Sequence, residues 1–197
     1  MSVRWWFYRF DHARYVLLRP ALRSATSPAA LAAIADSPEV CALAEALQEQ
    51  RLSLLQARRA FVRMTCCVGD PVPVDAHFAR VVSAMGRRRG AEDAAELLAE
   101  LLAGQKNREP WLGTGPGLQG FLTAEETVRL ARSYPGMPRA LRSRGRRFWL
   151  WRWAEALRDL ARRLFRRRLP DAEAVRRLGV LIAEAATRGE GIAVVSD

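Results

Sequence analysis

Two short segments at opposite ends of the chain read as β-strands, and the stretch between them reads as helix and loop. Val3 to Phe10 carries Trp5, Trp6, Phe7, Tyr8 and Phe10, a density of aromatic side chains that favours extended backbone. Its apolar alternation is imperfect, as in a strand covered on both faces. Ile192-Ala193-Val194-Val195 is β-branched except at Ala193 and follows a Gly189-Glu190-Gly191 turn. A lone strand leaves its backbone donors and acceptors unpaired. The two ends are therefore expected to pair with each other or to share a small sheet. That makes the fold α+β: a mostly helical single domain, residues 1–197, with a small sheet built from the N-terminal and C-terminal strands.

Helix punctuation fills the middle. Asp11 opens a short helix that Pro20 is expected to interrupt. Ser27-Pro28 and Ser37-Pro38 each place an N-cap serine before a proline at the first helical position. The second pair starts the longest predicted helix, at about residues 38–65, which Gly69-Asp70-Pro71-Val72-Pro73 ends as a turn. Asp75 caps a helix bearing Phe78, Val81, Val82 and Met85, and Arg87 to Gly90 is a basic loop. Another helix spans about 91–103 with Leu97, Leu98, Leu101 and Leu102 inward. Residues 104–120 hold five glycines and two prolines and read as a long loop. Thr123 with Glu126 three residues later is a capping box, opening a helix that stops before Pro135-Gly136. Asp171 caps a last helix bearing Val175, Leu178, Leu181, Ile182 and Ala185.

Charge is concentrated. The chain nets +11, and Lys106 is the one lysine among its 32 basic side chains. Residues 139–169 hold twelve arginines against Glu155 and Asp159, which is 12 − 2 = +10, leaving 11 − 10 = +1 for the rest. Within this stretch a basic amphipathic helix is predicted at about 147–168. Leu150, Trp153, Ala154, Leu157, Leu160, Ala161, Leu164 and Phe165 form its apolar stripe, with arginines opposite. The longest apolar run, Ala29 to Ala35, falls far short of the roughly 20 residues of a membrane span. No signal-peptide pattern opens the chain, and the expected location is cytoplasmic. Half the residues are hydrophobic, enough to build a core without disulfides. Cys41, Cys66 and Cys67 are expected to be reduced thiols.

The second half resembles the YfbM-like bacterial family of unknown function and its actinobacterial and myxobacterial relatives. The residues that carry the resemblance are Gly117-Leu118-Gln119-Gly120-Phe121-Leu122-Thr123-Ala124-Glu125-Glu126, opening a helix, and Ala185-Ala186-Thr187-Arg188-Gly189-Glu190-Gly191 before a terminal apolar strand. The helix around Leu97–Leu102 followed by Gly104 also corresponds. The resemblance implies an α+β single domain and carries no activity and no catalytic residues.

Few groups suggest chemistry. His12, His77, Cys41, Cys66 and Cys67 are the metal-ligand candidates, but they contain no C-x-x-C pair. Cys66 or Cys67 would have to meet His77 across the Gly69–Pro73 turn to act as a nucleophile–base pair. Gly113-Thr114-Gly115-Pro116-Gly117 lacks the lysine of a Walker loop and the strand-to-helix setting of a dinucleotide loop. The expectation is therefore no catalytic residues, no metal and no cofactor. An enzyme would need Asp11, His12 and Glu109 or Glu126 to converge on one pocket. The candidate binding residues are Arg144, Arg146, Arg147, Arg152, Arg158, Arg162, Arg163, Arg166 and Arg167. They suit an acidic protein partner. Two alternatives use the same face: sequence-nonspecific nucleic-acid binding with Trp149, Trp151 and Trp153 stacking on bases, and peripheral contact with an anionic membrane.

Overall fold

The computed structural model describes residues 4–27, 30, 31, 34, 53–87, 89–107, 109–112, 117–135 and 170–196. In chain order these form β1 (Trp5–Phe10), α1 (His12–Ser24), α2 (Leu54–Cys66), β2 (Cys67–Val74), α3 (His77–Met85) and α4 (Glu92–Leu102). A 3₁₀ turn at Pro110–Leu112 follows, then β3 (Gly117–Leu122), α5 (Ala124–Ser133), α6 (Pro170–Arg188) and β4 (Gly191–Ser196).

The expected pairing of the two ends is present, and it forms the middle of the sheet. The strand order is β2-β1-β4-β3, antiparallel throughout. β1 runs against β4 from Trp5 opposite Ser196 to Phe10 opposite Gly191 without a register break. Gly191 is a position where only glycine fits: a Cβ there would collide with the Leu122 carbonyl oxygen and crowd that of Phe10.

Both edge strands correct the sequence reading. Gly69 to Pro73 does not end as a turn but lies within β2, against β1. The register shows how two prolines are accommodated. Phe7 faces Val72 and Arg9 faces Val68, so β2 bulges across Gly69–Pro71 (φ +76° at Gly69). An edge strand with a bulge is where a missing N–H costs the sheet least. The expected loop at 104–120 likewise ends early, because Gly117–Leu122 is β3. The three residues 105–107 lie along its free edge, with the Phe121 N–H donating to the Lys106 carbonyl at 3.4 Å.

Helices behave as their caps dictate, with one exception. Asp11 Oδ1 accepts from the Arg14 N–H at 2.9 Å, and the Thr123–Glu126 capping box closes in both directions. Ser27 Oγ accepts from the Ala30 N–H. Asp75 Oδ1 accepts from the His77 N–H. Pro20, however, does not interrupt α1, which continues to Ser24. Pro20 and Val16, whose carbonyl loses its donor, are both exposed, so water can satisfy the freed oxygen. The predicted 38–65 helix does not run through: Ser53 is extended (ψ 155°) and closes a capping box with Gln56, so α2 starts afresh at Leu54; residues 35–52 lie outside the described residues, as do the Asp171 side chain and the predicted helix at 147–168.

The sheet carries helices on both faces. On one, α3 to α6 cover Phe7, Val72, Val74, Leu122, Ile192 and Val194. On the other, α1, α2 and the 3₁₀ turn cover Tyr8, Phe10, Leu118, Phe121, Ala193 and Val195. β1 thus alternates its aromatic rings between two cores, which is why its apolar pattern looked continuous. Among the described residues, no helix is long and apolar enough to cross a membrane.

Candidate functional site

The candidate binding residues Arg144, Arg146, Arg147, Arg152, Arg158, Arg162, Arg163, Arg166 and Arg167 lie outside the described residues, and so do Trp149, Trp151, Trp153, Cys41 and Gly113–Pro116. The other candidates can be placed. Cys66 ends α2 in the core, and Cys67 begins β2 opposite Phe10. Burial, reinforced by the neighbouring Cys66, pushes the Cys67 thiol up to about 12, far from an activated thiolate. His77 lies exposed past the far end of β2, roughly 25 Å of strand from Cys67. His12 rests its ring 5.7 Å from that of Phe121. Among the described residues, no three His, Cys, Asp or Glu side chains are grouped to hold a metal ion.

Glu109 lines a small cavity of about 10 Å3 together with Phe121 and Asn107, the residue that binds Glu126. Asp11 caps α1, and Glu109 and Glu126 belong to separate networks. Glu109 takes Arg19 Nε at 2.9 Å and Trp111 Nε1 at 2.8 Å. The buried Tyr15 hydroxyl lies nearby, its pKa raised first by burial and then by the Glu109 charge. Arg58 packs 5.6 Å from the Trp111 ring and donates to the Arg23 and Ala25 carbonyls at the end of α1. Glu126 binds Lys106 Nζ at 3.0 Å and Asn107 Nδ2 at 2.7 Å while capping α5. Lys106 also pairs with Glu100 at 3.0 Å, and Asn107, with φ +45°, donates to the Phe121 carbonyl at 2.9 Å. Burial alone would raise the Glu126 carboxyl, but the Thr123 N–H, Lys106 and Asn107 hold it below the usual carboxylate range. The Glu109 network ties α1 to the 3₁₀ turn, and the Glu126 network ties the 106–107 loop to α5 and β3.

One open feature escaped the sequence reading. A groove of about 700 Å3 runs between α3 and α4 and ends on Trp5. Ala79, Ser83 and Gly86 form one wall, and Ala95, Ala99 and Ala103 the other. Spacings of three and four residues put each set on one helical face, and at the Gly86 end the two walls touch, since a Cβ there would meet that of Ala95 at 3.4 Å. Val82 and Leu102 make the floor. Glu92 and Glu96, one turn apart on α4, make the rim acidic on that side. The signal was available in the sequence as two runs of small residues at helical spacing, but it is also what a tightly packed helix pair looks like. Compared with family models, with curated proteins and with solved structures, the chain matches none.

Proposed function

We propose that this chain is a non-enzymatic, cytoplasmic interaction protein, accessory or immunity-like in role, that binds an acidic partner through the arginines of residues 139–169. The observation that carries the reading is the charge: +10 of the net +11 falls in that one segment. Such a concentration steers an oppositely charged partner and gives a complex that salt weakens. The non-enzymatic part is supported by the fate of the described carboxylates best suited to proton transfer, Glu109 and Glu126, which are held in ion pairs that fasten loops. The resemblance to the YfbM-like family is consistent with this and adds no activity to it.

The test is affinity purification from the native cell at low salt, repeated with Arg162, Arg163, Arg166 and Arg167 changed to Gln. A stoichiometric acidic protein, retained by the parent chain and lost from the variant, is the expected result. Recovery of no such partner overturns the reading. Retardation of DNA or RNA with a steep salt dependence would replace it with nucleic-acid binding. Sedimentation with anionic but not neutral vesicles would replace it with membrane association.

A further inference from the structure

We propose that the start of α2 and the Arg59 guanidinium form a binding site for a small oxyanion, a phosphate or a carboxylate. Arg59 is 5% exposed. Its stem lies against Gly117, where a Cβ would meet the Arg59 Cβ at 3.3 Å. The head runs back along α2, as helical side chains lean, and Nε donates to the Leu55 carbonyl at 3.3 Å. The guanidinium thus reaches the first turn of the helix, which begins at Leu54. There Ser53 Oγ accepts from the Gln56 N–H, while the Leu54 and Leu55 N–H groups have no acceptor within the helix. Nη1 is buried without an acceptor, and Nη2 has none either but is not fully buried. The Nη1–Nη2 edge of the planar fork is therefore spare and reachable, beside two spare amides at the positive end of a helix dipole. Oxyanions bind helix starts through such amides, and the fork engages two oxygens of a phosphate or carboxylate at once. The neighbouring arginines of α2 differ: Arg58 is spent on the Trp111, Arg23 and Ala25 carbonyls, and Arg63 on the Tyr8 hydroxyl. Among the described residues no carboxylate pairs with Arg59, and burying a charge that nothing pairs costs stability. A bound oxyanion supplies the pair.

The test titrates the full chain with sodium phosphate or sodium acetate, at an ionic strength held constant with chloride, and follows the backbone amide and arginine Nε–H resonances. Those of Leu54, Leu55 and Arg59 should move and saturate, with a Kd on the order of 1 mM for the better anion. The anion that saturates at the lower concentration identifies the group that the ligand carries. Arg59→Met should lose the shifts at Leu54 and Leu55 while keeping at least the parent's melting temperature in chloride, which reports that it is folded. Arg59→Lys keeps the charge without the fork and should bind about tenfold more weakly. Changing Arg162, Arg163, Arg166 and Arg167 to Gln should leave the shifts intact, which separates this site from the reading of residues 139–169. The proposal is overturned if neither anion moves these resonances, if Arg59→Met keeps the shifts, or if the four-glutamine variant loses them. Contact between the Arg59 guanidinium and a carboxylate of this chain in the free protein overturns it as well, because the charge then already has its partner.

Discussion

The two faces of the sheet are covered in different ways. Among the described residues, α3 to α6 lie on one face, and the core beneath them is largely aliphatic: Val82, Leu97, Leu98, Leu101, Leu130, Leu178 and Ile182 are all buried. Among the described residues, α1, α2, the 3₁₀ turn and Leu31 lie on the other. There the filling is aromatic, with Phe10 stacked 4.8 Å from Phe121 and Tyr15 edge-on to Phe121 at 5.0 Å. Arginine stems complete it: Arg63 reaches over Tyr8, Arg58 over Trp111, and Arg59 is 95% buried under Gly117. Long amphipathic side chains cover apolar surface here while bringing polar atoms into the interior. The consequence is energetic. Removing matter from the aliphatic face should cost stability in the ordinary way, while the arginine-lined face carries polar groups whose removal costs little.

β4 belongs to both faces, and its loss should break the comparison altogether. Ile192 and Val194 point to the aliphatic side and Ala193 and Val195 to the aromatic side, all fully buried. β4 is also the partner of both β1 and β3. At about 1.5–3 kcal/mol for each buried Val or Ile, the side chains alone approach a typical total stability of 5–15 kcal/mol. Deleting residues 192–197 should abolish cooperative thermal unfolding by near-ultraviolet circular dichroism. A deletion variant that keeps the parent melting temperature would remove β4 from the centre of the sheet.

The middle of the sheet was legible from sequence because its evidence is local and redundant. The aromatic run at Trp5–Phe10 and the β-branched run at Ile192–Val195 have one economical solution, and the Asp11 and Thr123 caps announce themselves by residue type. The edges were not legible. Gly69-Asp70-Pro71-Val72-Pro73 and Gly117–Leu122 contain the residues that punctuate loops, and nothing local reveals that β1 and β4 offer them pairing edges. At the α3–α4 groove the small residues were visible, but whether they face each other closely or leave a gap is set by how the two helices sit on Trp5. The arginine segment was found by composition alone, and its placement is a separate matter from its charge.

A pair of substitutions, one on each face, sharpens the contrast. Leu98 is fully buried on the aliphatic side, and Leu98→Ala should cost about 2–5 kcal/mol in urea unfolding. Arg59 is as large and nearly as buried, but its guanidinium pairs with no carboxylate among the described residues. Its Nε donates to the Leu55 carbonyl at 3.3 Å, and its Nη1 is buried without a hydrogen-bond partner. Desolvation lowers its pKa, which is to say that the fold disfavours the charge it holds. Arg59→Met keeps the apolar stem and removes that charge, and should leave the melting temperature unchanged or raise it. A loss as large as that of Leu98→Ala would show that the guanidinium is doing structural duty and that the two faces are energetically alike.

The smallest effect lies where the faces meet, at the edge of β3. There Glu126 joins the Lys106–Asn107 loop to the start of α5. Its folded pKa is below the ordinary carboxylate value, so the ionised form stabilises the fold. That contribution is fully present above the unfolded pKa of about 4.3 and is lost as pH falls through the lower folded value. Glu126→Gln preserves the capping-box geometry, since glutamine serves at the same position, while removing the charge that Lys106 and the helix N-terminus attract. The variant should therefore be about 1 kcal/mol less stable than the parent at pH 7. The gap should close toward pH 3 as the parent's own carboxyl takes up its proton. Chemical unfolding at the two pH values measures it directly. A gap that persists at low pH would mean that the glutamate acts through its hydrogen-bond geometry and not its charge, leaving the Lys106 ion pair as a passive consequence of where the loop already lies.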